Sequence, residues 1–328
     1  FFFLLVRRLF DYKIALLSSF LLAVIPSFVY RTMSPDKEAL ANMLMFMALY
    51  FFIVAYQSDS LKKAISLGIL AGISTGLMAL SWGGVQFIFL TIGLFYIIMV
   101  ALNKFDINKF LAYCSWMIIM FFIAINLSGR YTINGILYSF TTEVVLAGFL
   151  AGLIYYIVYE KDLLKIKNKL KKYPKGILAV LITGIIGLIF VILLYGPSFI
   201  SNLLNEQYIN LIQPFGRTRW ALTVAESHQP YLVDWASNLG WKYIWVFIAG
   251  SVILFYELIK SLNKHIWKFI VLYFLFIIGI TFSRYSSDSV FNGTSQQAQL
   301  VYFGSIIIFI LALLIVYLYS YYVNGGLF

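Results

Sequence analysis

Charged side chains are scarce in this chain. They make up 11% of its 328 residues, whereas a soluble domain carries about 25%. With 62% of its residues hydrophobic, the chain cannot cover itself with a polar surface, so soluble, disordered and collagen-like classes are excluded. The single cysteine, Cys114, excludes an intrachain disulfide and a cysteine-based metal site. The chain lacks an initial Met and is apolar from residue 1, so we expect it to be cut at its N-terminus, inside an earlier helix.

The chain contains long apolar runs. About 20 apolar residues are needed for a helix that crosses a bilayer. Runs near that length fall at 14–30, 39–56, 64–80, 85–102, 110–127, 135–158, 177–195, 243–258, 267–282 and 299–322. The predicted fold class is therefore all-α, a polytopic transmembrane helical bundle of about ten spans. Residues 1–328 are expected to form a single transmembrane domain.

Positive charge is distributed unevenly between alternate loops. The chain carries 24 Lys and Arg against 13 Asp and Glu. Seventeen of the 24 lie in one set of loops, including the basic loop at about 160–175, and seven lie in the other set. Cytoplasmic loops carry the excess of Lys and Arg, so topology explains the charge without a nucleic-acid partner. The long loop at about 197–241 is then extracytoplasmic, with an interfacial helix expected at 198–212.

Two acidic residues, Asp36 and Glu38, lie in an extracytoplasmic loop within YRTMSPDKEAL. One interpretation is a helix start, with Ser34 as the cap, Pro35 in the first turn and acids favoured by the helix dipole. The other is that both carboxylates converge on one cation. The pattern alone leaves both interpretations open.

A third acidic residue, Glu226, ends the segment Thr223-Val224-Ala225-Glu226 in the long extracytoplasmic loop. The spacing of Thr223 and Glu226 matches a capping box. Alternatively, Glu226 brings a third carboxylate to the same side as Asp36 and Glu38. Hard oxygen ligands of this kind suit Mg²⁺ or Mn²⁺ better than zinc.

Three further residues at the extracytoplasmic ends of spans have two interpretations each. Trp82, in Ser81-Trp82-Gly83-Gly84, is either an interfacial anchor or part of a site. Arg284, in FSRYSSDS, either snorkels to the headgroups or docks a carboxylate or phosphate. The same two interpretations apply to Arg31.

Taken together, these segments resemble one family. The motifs around Arg31 to Glu38, Trp82, Thr223 to Glu226, and Ser283-Arg284-Tyr285 follow the order seen in the catalytic subunit of oligosaccharyltransferase. The resemblance is strongest to the archaeal, single-subunit form, a membrane glycosyltransferase of the GT-C type. It extends from about residue 7 to the last span.

The resemblance implies a metal-dependent reaction. Asp36, Glu38 and Glu226 would hold Mn²⁺ or Mg²⁺, with Asp36 and Glu226 catalytic. The asparagine of an Asn-X-Ser/Thr sequon would attack the anomeric carbon of an oligosaccharide on a polyprenyl (dolichyl) phosphate or diphosphate, with inversion. The cation would stabilise the negative charge that develops on the leaving phosphate.

The resemblance also implies binding roles and a location. Thr223, Arg284 and Trp82 would shape the site for the acceptor peptide, and Arg31 would contact the lipid phosphate. The partners would be the lipid-linked oligosaccharide, the acceptor polypeptide and the bilayer. The protein would be an integral, multi-pass membrane protein with its active site on the extracytoplasmic side, in the cell membrane if it is archaeal.

Two departures from the family limit these expectations. The family's first outer loop, with another essential aspartate, and its C-terminal soluble domain, which recognises the Ser or Thr of the sequon, are both absent from residues 1–328. We therefore expect this chain alone to be inactive. The alternatives are another GT-C glycosyltransferase with a polyprenyl-phosphate sugar donor, and a non-enzymatic membrane transporter or scaffold.

Overall fold

The described elements are helices apart from turns and one isolated bridge. A computed structural model describes residues 1–33, 37–163, 174–212, 230–260 and 266–324. A bilayer interior offers no partners for backbone N–H and C=O groups, and a helix pairs them within one segment. The helices are α1 Phe2–Leu9, α2 Tyr12–Val24, α3 Pro26–Met33, α4 Lys37–Tyr56, α5 Leu61–Ser81, α6 Gln86–Ala101, α7 Ile107–Leu127, α8 Ile133–Tyr138, α9 Phe140–Tyr155, α10 Lys175–Tyr195, α11 Pro197–Ile212, α12 Leu232–Leu239, α13 Trp241–Ile259, α14 Ile266–Phe282 and α15 Gln296–Asn324.

The apolar runs of the sequence correspond to helices. Within the described ranges, eight helical stretches are long and apolar enough to cross a membrane. They contain α4, α5, α6, α7, α9, α10, α13 and α15. The shorter apolar helices α2 and α14 account for the other two predicted runs. The prediction of an all-α, polytopic helical bundle is confirmed.

The first predicted span, 14–30, is not one continuous helix. α2 ends at Val24, Ile25 is extended with φ −64° and ψ 120°, and α3 begins at Pro26. Proline lacks the N–H that would continue α2, and it disfavours the helical conformation in the residue before it. The apolar pattern of the sequence does not reveal this break, because Pro26 is uncharged and leaves the apolar run continuous.

The loop predicted at 197–241 contains two helices. α11 covers Pro197–Ile212, which agrees with the helix expected at 198–212, and its position at the membrane surface stays a prediction. α12 covers Leu232–Leu239, and its first turn is held by a capping box between Tyr231 and Asp234. Residues 213–229, between the two helices, lie outside the described residues.

The chain divides into two compact units, which we describe separately. Unit 1 covers residues 1–190 and unit 2 covers residues 191–328. The core of unit 1 lies between α4, α5, α6, α7 and α9, and includes the buried rings of Phe52, Tyr96, Tyr113 and Trp116. In unit 2, α12, α13 and α14 share a smaller core around Ile244, Ile248 and Ile277.

In unit 1, α5 packs closely against α7. A Cβ on Gly68 would lie 2.1 Å from Ser115 Oγ, and a Cβ on Gly72 would lie 2.7 Å from the Trp116 carbonyl oxygen. This agrees with the close packing that glycines at four-residue spacing predict. Beside them, Trp116 Nε1 donates a 3.0 Å hydrogen bond to Thr75 Oγ1. Both residues are fully buried, so this bond ties the two helices together in an apolar setting.

Gly72→Ala is expected to destabilise unit 1. The new methyl group would also lie 2.9 Å from Ile119 Cβ, so α5 and α7 must move apart. Overpacking of this kind costs about 1–3 kcal/mol. Thermal unfolding of the protein in detergent should show a lower Tm.

Gly184→Ala is the matched control. Gly184 is an exposed residue of α10, and nothing lies within 4 Å of the position its Cβ would take. Its Tm should stay unchanged or rise slightly, since alanine favours a helix over glycine. Equal Tm values for the two variants would contradict the close contact of α5 with α7.

Candidate functional site

One end of unit 1 carries two of the predicted site residues, Glu38 and Trp82. Only residues 57–60 join α4 to α5, and the two helices pack along each other. The start of α4, with Glu38, therefore lies at the same end as Trp82, which follows α5. Arg130 is also there, because its guanidinium lies 3.5 Å from the position of a Cβ on Gly83. We call this the Trp82 end of unit 1.

Trp82 forms a compact turn with the two glycines that follow it. The residue is extended, with φ −148° and ψ 137°, and its N–H donates to the Met78 carbonyl oxygen. A short 3₁₀ turn at Gly83–Val85 then leads into α6. The indole lies over the backbone of Gly84, where a Cβ would come within 2.3 Å of the ring. Trp82 also packs against the buried core of unit 1, so its half-buried side chain contacts both the turn and the core.

Glu38 is half-buried in the first turn of α4. A carboxylate in this position is stabilised by the partial positive charge at a helix N-terminus. Arg31 lies in the preceding helix, α3, which contacts α4; its side chain lies outside the described part. Asp36, together with Ser34 and Pro35, falls in the undescribed gap before α4.

Arg284 lies in a short hairpin of unit 2, between α14 and α15. Arg284 pairs with Asn292 as an isolated antiparallel bridge, and the N–H of Gly293 donates to the Ser283 carbonyl oxygen at 3.0 Å. On the other edge of the hairpin, the Arg284 carbonyl oxygen accepts the N–H of Leu232 at 2.8 Å. Since Leu232 begins α12, the hairpin caps that helix.

The Arg284 side chain is buried rather than extended to the surface. It is 9% exposed, so the snorkelling interpretation does not describe its conformation. Burial lowers the pKa of the guanidinium, and the nearby Tyr302 and Tyr231 act in the opposite direction. Burial also raises the pKa of Tyr231, which lies within electrostatic range of Asp234 and Asp288. Arg284 therefore belongs to a cluster of polar groups that the sequence motif did not reveal.

Gly293 makes room for this buried arginine. Its φ is +80°, and a Cβ would lie 2.9 Å from Arg284 Cγ and 3.0 Å from Nε. The left-handed backbone conformation is easy for glycine and strained for other residues. The glycine was the signal in the sequence that could have indicated an arginine packed against the backbone.

Several predicted site residues are not described. Asp36, Thr223 and Glu226 lie outside the described ranges. The structure therefore gives no distances from them to Glu38, Trp82 or Arg284. Within the described residues, no group of three or more His, Cys, Asp or Glu side chains could hold a metal ion. The predicted acidic metal site therefore stays a prediction.

The fold defines a class: a multi-pass helical membrane protein with polar turns and helix starts at the ends of apolar spans. Residues 1–229 match the family model described as oligosaccharyl transferase STT3, N-terminal, and the chain belongs to this family. It is similar to the dolichyl-diphosphooligosaccharide–protein glycosyltransferase subunit STT3 of Saccharomyces cerevisiae, at 26% identity over 263 residues. That match covers 76% of this chain and 34% of the yeast protein, so the chain spans about a third of its relative's length.

Gly84→Ala is expected to displace Trp82. The added methyl group would overlap the indole, so either the ring leaves its position or the turn distorts, at a cost of about 1–3 kcal/mol. Tryptophan fluorescence and Tm should both change. Gly83→Ala, whose Cβ would make an ordinary 3.5 Å contact with Arg130, should change neither. Similar behaviour of the two variants would contradict this description of the turn.

Gly293→Ala is expected to weaken the hairpin of unit 2. The substitution combines a strained φ with a close contact to Arg284, and should cost about 1–3 kcal/mol. Hydrogen exchange should become faster at the N–H groups of Leu232 and Val233, which bond to the hairpin. Gly304→Ala in α15, with nothing within 4 Å of its Cβ position, should leave that exchange unchanged. Equal protection in both variants would contradict the coupling.

Proposed function

We propose that this chain carries the membrane part of an oligosaccharyltransferase that glycosylates asparagine in Asn-X-Ser/Thr sequons. Family membership over residues 1–229 carries the proposal, because that range contains Asp36, Glu38, Trp82, Thr223 and Glu226. The name of the yeast relative supports a dolichyl-diphosphate oligosaccharide as donor and a protein as acceptor. A multi-pass bundle suits a donor whose lipid lies in the bilayer.

The chemistry of the predicted ligands fits a hard cation. Asp36, Glu38 and Glu226 would hold Mg²⁺ or Mn²⁺ through carboxylate oxygens, the ligand type that these ions prefer. Glu38, the described member of the set, is half-buried at the start of α4, where an acidic side chain is stable. A bound ion would supply Lewis-acid stabilisation of charge on the leaving phosphate.

The residues of the chain would then act on the acceptor. The carboxylates of Asp36 and Glu226 accept hydrogen bonds from the asparagine N–H₂ group, which makes its nitrogen a better nucleophile. That nitrogen forms a bond to the anomeric carbon from the side opposite the phosphate, the carbon–oxygen bond breaks with its electron pair going to the phosphate oxygen, and the configuration inverts. The asparagine nitrogen releases one proton to a carboxylate oxygen of Asp36 or Glu226. Thr223 orders the loop over the peptide, and Arg31 contacts the lipid phosphate.

Trp82 and Arg284 have different kinds of role in this proposal. The Trp82 ring is half-buried and held by its own turn, so it forms a rigid wall beside the start of α4. Arg284, at 9% exposure, acts as a positioning residue that holds the hairpin and the start of α12 for acceptor binding. The site faces the extracytoplasmic side, in agreement with the charge distribution, and the archaeal form would place it at the cell membrane.

Glu226→Gln is expected to slow glycan transfer by roughly 100-fold or more, because it removes a charge that acts on the acceptor amide and the cation. The assay uses the full natural polypeptide that carries these residues, in membranes, with a lipid-linked oligosaccharide, Mn²⁺ and a labelled Asn-X-Thr peptide. Product is measured by mass spectrometry. EDTA should abolish transfer, and added Mn²⁺ or Mg²⁺ should restore it.

Glu206→Gln is the matched control, since Glu206 is an exposed carboxylate on α11 in the same long loop. It should keep the wild-type rate. Equal rates for the two variants would remove Glu226 from the site. Transfer from a single sugar on polyprenyl phosphate to a lipid or glycan, without transfer to the Asn-X-Thr peptide, would support the other GT-C function instead.

A further inference from the structure

A cavity lies at the opposite end of unit 1 from Trp82. Loop 57–60, between α4 and α5, meets the start of α7 there, and Asn108 Nδ2 donates a 2.9 Å hydrogen bond to the Asp59 carbonyl oxygen. The cavity has a volume of about 370 Å³, and its lining includes Tyr56, Asp59, Asp106, Asn108 and Lys109. Pockets for small ligands begin at about 300 Å³. None of these residues belongs to the proposed glycosyl-transfer site.

Two exposed carboxylates line the cavity. Asp106 uses Oδ1 to cap α7, accepting the N–H groups of Asn108 at 2.8 Å and Lys109 at 3.4 Å. Within the described chain, neither Asp59 nor Asp106 forms an ion pair, and no hydrogen bond reaches Asp106 Oδ2 or the Asp59 carboxylate. Both carboxylates thus keep acceptor capacity for a cationic donor.

The inner wall of the cavity is formed by Tyr56, which is only 7% exposed. Its hydroxyl is shielded from water and has no hydrogen-bond partner among the residues that the structure describes. A buried polar group of this kind is unfavourable unless a partner binds it. The Lys109 ammonium lies 5.3 Å from the centre of the Tyr56 ring, which places a positive charge in the same cavity.

The charges specify the kind of ligand. Two carboxylates and one ammonium suit a molecule that carries a hydrogen-bonding cation and, beside it, an anion. A free anion would meet two carboxylates, and a cation alone would leave Lys109 without a counter-charge. A primary ammonium can donate three hydrogen bonds to the carboxylates, while a phosphate pairs with Lys109. A phosphoethanolamine group has both features.

The surroundings of the cavity favour a lipid as the source of that group. α4, α5 and α7 are all candidate membrane spans, and the cavity lies at their ends. Leu61 and Ile107, the first residues of α5 and α7, are exposed beside it and offer an apolar surface to acyl chains. Lys62, Lys63 and Lys104 are at the same end, and basic residues there attract lipid phosphate.

We propose that this cavity binds the headgroup of an ethanolamine phospholipid, with the ammonium held by Asp59 and Asp106 and the phosphate held by Lys109. The acyl chains lie along the exposed starts of α5 and α7. The site is specific for a primary ammonium, because the trimethylammonium of choline has no N–H to donate. It is a lipid site separate from the lipid-linked donor.

The test is lipid retention by the full natural polypeptide, purified from membranes and exchanged into nanodiscs with equal amounts of phosphatidylethanolamine and phosphatidylcholine. Native mass spectrometry counts the lipids that stay bound after release. The wild type should retain at least roughly five times more phosphatidylethanolamine than phosphatidylcholine, and its Tm should rise with added phosphatidylethanolamine only. Asp59→Asn and Asp106→Asn should bring the ratio close to one. Asn replaces Asp well as a helix cap, so Asp106→Asn keeps α7 folded.

Asp11→Asn is the matched control. Asp11 caps α2 by accepting the N–H of Ile14 at 2.8 Å, and it does not line the cavity; its lipid ratio should match the wild type. Equal retention of the two lipids by the wild type would overturn the proposal, as would the same ratio in Asp11→Asn, Asp59→Asn and Asp106→Asn. Soluble O-phosphoethanolamine that raises the Tm as much as the lipid at equal concentration would also overturn the assignment to a lipid.

Discussion

The close contact between α5 and α7 is the constraint on which the arrangement of unit 1 depends. Gly72 brings the backbone of one helix against the Trp116 carbonyl of the other, and the buried Trp116–Thr75 hydrogen bond joins the same pair. α5 ends at the Trp82 turn and begins beside the cavity that Asp59 and Asp106 line. The contact between α5 and α7 therefore positions polar groups at both ends of α5.

In both units, glycine residues make room for a large side chain that carries a polar group. Trp82 rests on Gly84, and Arg284 rests on Gly293, so in each case a missing side chain creates the place for a large one. The Arg284 and Tyr285 carbonyl oxygens also receive the first N–H groups of α12. These two bonds pair N–H groups at the start of α12 with carbonyl oxygens instead of charged side chains. Charged side chains are scarce in this chain, at 11% of its residues.

Much of the fold was predictable because the bilayer imposes a length and a polarity on each span. Eight of the ten apolar runs correspond to one helix each, whereas run 14–30 is divided between α2 and α3 and run 135–158 between α8 and α9. The helix expected at 198–212 is α11. Pro26 was missed because its effect is on the backbone, while the apolar pattern continues through it. The candidate site was less predictable. The motif around Arg284 left two interpretations open, snorkelling to the headgroups or docking of a carboxylate or phosphate. The structure buries this side chain near Tyr231, Tyr302 and Gly293.

The sequence by itself determined the class of protein, the position of most spans and the family, because these depend on local composition and on the order of short motifs. Only the tertiary structure decided which helix faces meet, that Arg284 is buried, and that the Asp59 loop joins the start of α7 across 49 positions of sequence. These features depend on contacts between distant segments, where the fit of side chains against a facing helix selects one arrangement. Local periodicity contains no information about that facing surface.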